Sequence, residues 1–312
     1  MSLSDLIRQH LAALRALLVL TLVTGLLYPA GVWAVGRLPG LSDKADGSII
    51  ETDGRIAGSS LIGQSFTDAD GKPIVWYFQS RPSAAGYDRL SSGPGNLGPE
   101  DVVDTPADPA SLAAGDDPET AGFAPSLLTQ VCTRSREIGT REAVDGARPF
   151  CTPEGVGAVL AVLGTFHHDG TVTPERVVSV NEPCPTRQGT APLVFVAEYQ
   201  GVRVECARYG EDYSAGRIVP VAGNAPAEPA VPADAVTGSG SGLDPHISPA
   251  YADIQVRRVA AARGVDPDAV REVVAAHTAG RALGFLGEPT VNVLELNLDL
   301  DRRYPAPAAG GA

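Results

Sequence analysis

The run Ala16-Leu17-Leu18-Val19-Leu20-Thr21-Leu22-Val23-Thr24-Gly25-Leu26-Leu27-Tyr28-Pro29-Ala30-Gly31-Val32-Trp33-Ala34-Val35-Gly36 carries no charge over 21 positions. At about 1.5 Å per residue, a helix of that length reaches roughly 31 Å, the thickness of a bilayer's hydrocarbon core. Extending the run back to Leu11 adds only Arg15, whose long stem can carry its charge to the near headgroups. Tyr28 and Trp33 fall toward the far end, where amphipathic rings suit the interface. Pro29 is expected to kink such a helix without being excluded from it. The reading is one transmembrane helix over residues 11–35, within an N-terminal segment 1–40. A cleaved signal peptide is the competing reading. Val32-Trp33-Ala34 loosely resembles a cleavage site, but Trp is bulky there and the run exceeds the usual apolar region of a signal.

The flanks barely orient the span. Arg8 and Arg15 precede it, and Arg37 and Lys44 follow soon after, so the positive-inside count is even. An N-terminal apolar run followed by an acidic, cysteine-bearing region has the form of a signal-anchor. That form puts the N-terminus in the cytoplasm and most of the chain outside it.

The remainder is acidic and rich in turn formers. There are 24 Lys+Arg against 37 Asp+Glu, a net charge of −13, with 35 Gly and 26 Pro in 312 residues. This balance argues against nucleic-acid binding, which needs a basic patch, and the Gly/Pro content argues against a helical bundle. Residues 41–98 read as short strands and turns. Ile49-Ile50 and Ile56 flank Asp53-Gly54, and Ile74-Val75-Trp76-Tyr77-Phe78 is an apolar, strand-prone run. Residues 100–230 differ in composition and hold all four cysteines, Cys132, Cys151, Cys184 and Cys206. Within them, 156–166 is apolar, Gln200-Gly201 marks a hairpin turn, and 220–232 is a Pro/Ala-rich linker. They read as a subdomain inserted between 41–99 and 231–304, and dispensable for the rest of the fold.

After the linker, Ser248-Pro249 and Asp266-Pro267 each supply an N-cap with proline in the first turn. The spacing predicts helices ending near Gly264 and Gly280, with His277 a hydrogen-bonded structural residue on an apolar face. Leu294, Leu296, Leu298 and Leu300 alternate with polar residues and predict a closing strand. Strands early, helices late and a final strand give an α+β class.

Motifs for catalysis are missing from the sequence. It has no Walker phosphate loop, no nucleophile elbow ahead of a helix, and no His-Glu-x-x-His helix. His167-His168-Asp169-Gly170 reads as a solvated turn, so neither catalytic nor metal-ligating residues are assigned. Gly238-Ser239-Gly240-Ser241-Gly242 is read as a flexible connection more readily than as a phosphate cradle. Four cysteines in an exported segment favour two disulfides. Three pairings are possible, and Cys132–Cys151 with Cys184–Cys206 would close the shortest loops.

Several longer motifs occur together, in one order. They are Leu27-Tyr28-Pro29, Gly58-Ser59-Ser60-Leu61-Ile62-Gly63-Gln64-Ser65-Phe66 and Tyr77-Phe78-Gln79-Ser80-Arg81-Pro82-Ser83. Further on come Ser239-Gly240-Ser241-Gly242-Leu243-Asp244-Pro245-His246-Ile247-Ser248-Pro249 and Leu283-Gly284-Phe285-Leu286-Gly287-Glu288-Pro289. The chain resembles the C subunit of the Kdp potassium-transporting P-type ATPase over roughly 10–99 and 231–301. Typical members bridge the middle with a shorter, helical stretch.

The resemblance implies a non-catalytic accessory subunit in the cell membrane. Its partners would be a potassium-binding, channel-like subunit and an ATP-hydrolysing P-type subunit, with the lipid bilayer around its helix. Potassium is then the ion the complex imports, and the resemblance also implies a catalytic-chaperone role and ATP binding. The P-type phosphorylation motif Asp-Lys-Thr-Gly is absent from the sequence. Glycine-bearing loops with apolar and polar residues suit docking, so Asp244, His246, Phe285 and Leu286 are the expected partner-docking residues. Gly25 and Gly31 are the expected packing points of the membrane helix. The alternative is a membrane-anchored extracytoplasmic binding module unrelated to transport.

Overall fold

The computed structural model describes residues 3–52, 54–182 and 194–306. Contacts divide the chain into two units, Met1–Ile62 and Gly63–Ala312.

The first unit opens with a helix long and apolar enough to cross a membrane, Leu3–Gly36, none of it buried. It comprises α1 (Leu3–Leu22), a π-helical turn (Val23–Leu27) and α2 (Tyr28–Gly36). Proline at position 29 lacks an N–H, and its ring crowds the carbonyl four residues back. The wider turn relieves this, the Tyr28 amide reaching back five residues to the Val23 carbonyl. The short helix α3 (Ser42–Ala45) leads into a hairpin of β1 (Ile49–Thr52) and β2 (Arg55–Ser59). That is the hairpin expected around Asp53-Gly54, although Asp53 itself lies outside the described residues.

The second unit is mixed α and β. Helices α4 (Pro109–Ala114) and α5 (Leu127–Glu142) precede a five-stranded sheet. Its strands are β3 (Val159–Phe166), β4 (Val172–Ser179), β5 (Glu198–Tyr199), β6 (Val202–Cys206) and β7 (Arg217–Pro220), in the order β5-β6-β4-β3-β7. Among the described residues of this sheet, only β4 and β6 pair in parallel. Alternation along β3 and β4 puts Leu160, Val162 and Val177 in one apolar cluster and Val159, Ala161 and Val178 in another. Gln200 and Gly201 both have positive φ in the expected β5–β6 turn. Helix α6 (Ala233–Val236) and β8 (His246–Ile247) follow, then α7 (Pro249–Arg263) and α8 (Pro267–Ala276). Ser248 and Asp266 accept the capping hydrogen bonds as their sequence positions imply. The chain closes with β9 (Thr278–Ala279), β10 (Thr290–Asn292) and α9 (Val293–Arg303), and the three short strands pair as β8-β10-β9.

Four expectations are corrected. First, residues 294–300 form α9, not a strand. Val293, Leu296, Asn297 and Leu300 are buried at helical spacing, and the Asn292 side chain accepts from the Glu295 amide as N-cap. The leucine alternation coincided with this period and masked it. Second, α8 ends at Ala276, before Gly280, because Thr278 and Ala279 leave the helix to pair with β10.

Third, residues 74–78 form no strand. The amide side chain of Asn297 accepts from Phe78 N–H at 2.9 Å and donates to its carbonyl at 3.0 Å. Gln255 treats Gln79 the same way, at 2.7 and 3.3 Å. Arg258 donates to the carbonyls of Val75 and Tyr77, and Arg263 to that of Trp76. Side chains of α7 and α9 thus satisfy the backbone groups that a neighbouring strand would otherwise take. Fourth, the middle segment is not packed apart from the rest. Ile138 of α5 lies in the same core as Val231, Tyr251, Val256, Val270, Leu296 and Leu300. The fully buried Glu142 side chain, at the end of α5, accepts from Arg258 of α7 at 2.9 Å.

Cys132 and Cys151 are joined by a disulfide, as one of the expected pairs. Cys184 lies outside the described residues, and Cys206 is disulfide-bonded.

Candidate docking surface

The clamped segment 75–79 leads directly into Arg81, whose guanidinium gathers the glycine-serine loop. It donates to the carbonyls of Thr237 and Gly238 and pairs with Asp244 at 3.2 Å. Asp244 also accepts from the His246 backbone at 3.0 Å and contacts its Nδ1 at 3.1 Å. Ser83 donates to the Gly242 carbonyl, Gly93 to that of Ser241, and Gly63 to that of Leu243. Gly242 has φ +67°, and a Cβ there would stand 2.9 Å from the Gly93 carbonyl oxygen, so this position requires glycine. A Cβ on Gly63 would meet Tyr87 at 2.5 Å. The glycine-serine loop is therefore docked against 81–93. It is neither a free connection nor an open cradle.

Asp244 and His246 are thus bonded within the fold. Phe285 and Leu286 behave in the opposite way. They sit on a finger between β9 and β10, 70% and 50% exposed, beside Leu283 at 82%. The finger is held in shape. Ala282 and Leu286 exchange backbone hydrogen bonds at 2.9 Å, Leu283 and Gly284 take positive φ, and Arg281 pairs with Glu288 at 2.6 Å across the base. Three large apolar side chains are thus presented together by a closed hairpin. A core role for Phe285 and Leu286 is excluded by this exposure.

The structure does not unite the four expected residues. In the β8-β10-β9 sheet His246 is opposite Asn292, whereas the finger leaves from Thr290 and Ala279 at the other end of β10. Leu283 was not singled out from sequence. Its signal was its place inside the same apolar Leu-Gly-Phe-Leu motif. In the membrane-length helix Gly31 has open space around it, and a Cβ on Gly25 would come no closer than 3.9 Å to Thr21. His167 and His168 lie exposed in the β3–β4 turn. His277 is hydrogen-bonded to Asp299 at 3.0 Å, as its place on an apolar helix face implied.

Two carboxylates give the unit a defined acid response. Burial pushes Asp244 up, but hydrogen bonds from His246 and the charges of His246 and Arg81 outweigh it, so its pKa is lowered. Burial likewise raises Asp299, and hydrogen bonds from His277 and Arg303 more than reverse it. A folded pKa below the unfolded value of about 3.9 adds stability above that value and loses it as pH falls through the folded pKa. The contribution of these two is expected to hold down to about pH 5 and to be lost as acid is added below that, opposed by Asp104 and Glu182, whose burial raises their pKa. Asp244→Asn should melt lower at pH 7 and lose less on acidification. Thermal unfolding of the purified chain across pH checks both, and an acid slope unchanged by the substitution would refute the assignment.

Among the described residues, one apolar helix of membrane-crossing length precedes a mixed α+β unit, which is consistent with a single-pass membrane protein. The family model described as K+-transporting ATPase, c chain, matches residues 10–106 and 213–302. A protein of Kineococcus radiotolerans is 36% identical over 98% of this chain and 99% of its own length. One of Streptomyces coelicolor is 34% identical over 99% and 98%, and one of Mycobacterium tuberculosis 33% identical over 95% and 98%. Each is named potassium-transporting ATPase KdpC subunit. The chain belongs to the KdpC family, and so is an accessory subunit of a potassium transport complex. These relatives match over nearly their full length, so the long middle segment passed over by the family model is shared with them.

Proposed function

We propose that this subunit bridges a potassium-binding, channel-like subunit and an ATP-hydrolysing P-type subunit, supporting their assembly and acting as a catalytic chaperone for the second. Its N-terminus lies in the cytoplasm, its helix packs in the bilayer through Gly25 and Gly31, and its α+β unit lies outside. ATP belongs to the hydrolysing partner in this scheme, and direct nucleotide contact by this chain rests on the family resemblance alone. The observation that carries the reading is the finger. Leu283, Phe285 and Leu286 are exposed on a hairpin whose shape is fixed by its own hydrogen bonds and ion pair, in a chain whose family works inside a complex.

The test has two arms. Tagged full-length chain should recover two larger membrane subunits from cells expressing the whole transport complex, and recovery of neither would favour a stand-alone binding module. Orientation is read by placing a cysteine at Ile56, 69% exposed on β2. It should react with an impermeant thiol reagent on intact cells. Labelling only after lysis would reverse the topology.

A further inference from the structure

A cavity of about 250 Å³ opens between residues 65–67, residues 79–87, α5 and Tyr251. Three guanidiniums line it, Arg81, Arg134 and Arg141, against one carboxylate, Glu137. That is an island of positive charge in a chain whose net charge is −13. Arg81 is held by Asp244 and Arg141 by Glu142, and neither carboxylate lines the cavity. Glu142 must also serve Arg258.

Arg134 is the unbalanced member. It donates to the Val236 carbonyl at 3.0 Å and to the Gln130 side chain at 2.9 Å. Among the described residues no carboxylate lies within ion-pair distance of it. Burial lowers its pKa, with only the field of Glu137 opposing. Around the cavity, four guanidiniums (Arg81, Arg134, Arg141, Arg258) are therefore set against three carboxylates (Asp244, Glu142, Glu137).

We propose that this cavity binds a small oxyanion of the phosphate type, with Arg134 as its principal ligand and Arg81 and Arg141 contributing their remaining N–H groups. Guanidinium forks match the geometry of such oxygens in a way that a point charge does not. The volume lies below that of pockets for drug-sized molecules, which selects an ion or a single phosphoryl group over a larger ligand. Glu137 at the rim limits the charge the site tolerates.

The test is phosphorus NMR of inorganic phosphate titrated into the full-length chain, in a phosphate-free detergent at constant ionic strength. Line broadening should saturate. Arg134→Gln should weaken binding about tenfold or more, the loss expected for a charged hydrogen bond. Glu137→Gln should tighten it by about two- to fivefold, because one exposed like charge is removed. Glu137 is solvent-exposed, so this second variant remains informative if Arg134→Gln folds poorly. Glycerol phosphate, a soluble headgroup fragment, distinguishes the source. Displacement tighter than by inorganic phosphate identifies a lipid headgroup, weaker displacement identifies the free ion, and both support an oxyanion site. Broadening that never saturates, or that is identical in wild type and Glu137→Gln, would overturn the proposal.

Discussion

Phe285→Ala combined with Leu286→Ala is expected to leave the melting temperature within about 2 °C of wild type while weakening assembly of the transport complex roughly thirtyfold or more. The first half follows from exposure. Both side chains lie outside the apolar clusters of the second unit, and surface substitutions usually change stability by less than about 0.5 kcal/mol. The second half follows from how interfaces concentrate energy. An apolar anchor seated in a partner's pocket commonly contributes about 2 kcal/mol or more, which is roughly thirtyfold in affinity. The hairpin's own hydrogen bonds are backbone ones between Ala282 and Leu286, so the double variant keeps the finger's shape. Recovery of partner subunits on the tagged chain reads the effect. Normal melting with full assembly and undiminished potassium uptake would defeat the docking role. A large drop in melting temperature would contradict the exposed finger itself.

The finger also shows what the sequence made legible. Its glycines and its Leu-Gly-Phe-Leu motif identify a loop with apolar content, but composition alone leaves a contact surface and a buried turn equally open. Exposure removes the buried turn. The caps at Ser248 and Asp266 were readable because N-cap chemistry is local, needing only a side-chain oxygen two or three residues ahead of an amide. The hairpin turn at Gln200-Gly201 was readable because turn chemistry is equally local.

What failed depended on partners distant in sequence. Residues 74–78 have strand composition, yet the groups that take up their backbone hydrogen bonds lie about 180 to 220 positions later. Residues 294–300 satisfy periods of two and of 3.6 together, and only the Asn292 cap and the packing of Val293, Leu296 and Leu300 choose the helix. The middle segment looked separable because its composition is distinct. Composition does not reveal that Ile138 and Glu142 enter the core of the C-terminal helices. The arginine-lined cavity was invisible for the same reason. Arg81, Arg134 and Arg141 share no motif, and only the fold brings them together.

Asn297 is the residue whose loss should cost the fold most for the fewest atoms removed. Its side chain is buried, and it is the hydrogen-bond partner of both the N–H and the C=O of Phe78, itself fully buried. Asn297→Ala strands both groups away from water. Each orphaned buried group costs about 1–3 kcal/mol, so the variant should lose about 2–6 kcal/mol in all. At about 2–4 °C per kcal/mol for a unit of this size, the melting temperature should fall by roughly 4–24 °C. Asn297→Leu, which restores volume but not hydrogen bonds, should recover little of it. That contrast separates polar satisfaction from packing. Gln255→Ala should act similarly through Gln79. The double variant should cost less than the sum, since the two amides hold adjacent residues of one segment. Hydrogen exchange gives the site-specific reading. The Phe78 amide should lose protection in Asn297→Ala while amides in the β3–β4 ladder keep theirs, and a Phe78 amide that stays protected in a normally melting variant would show that the clamp does not hold this segment.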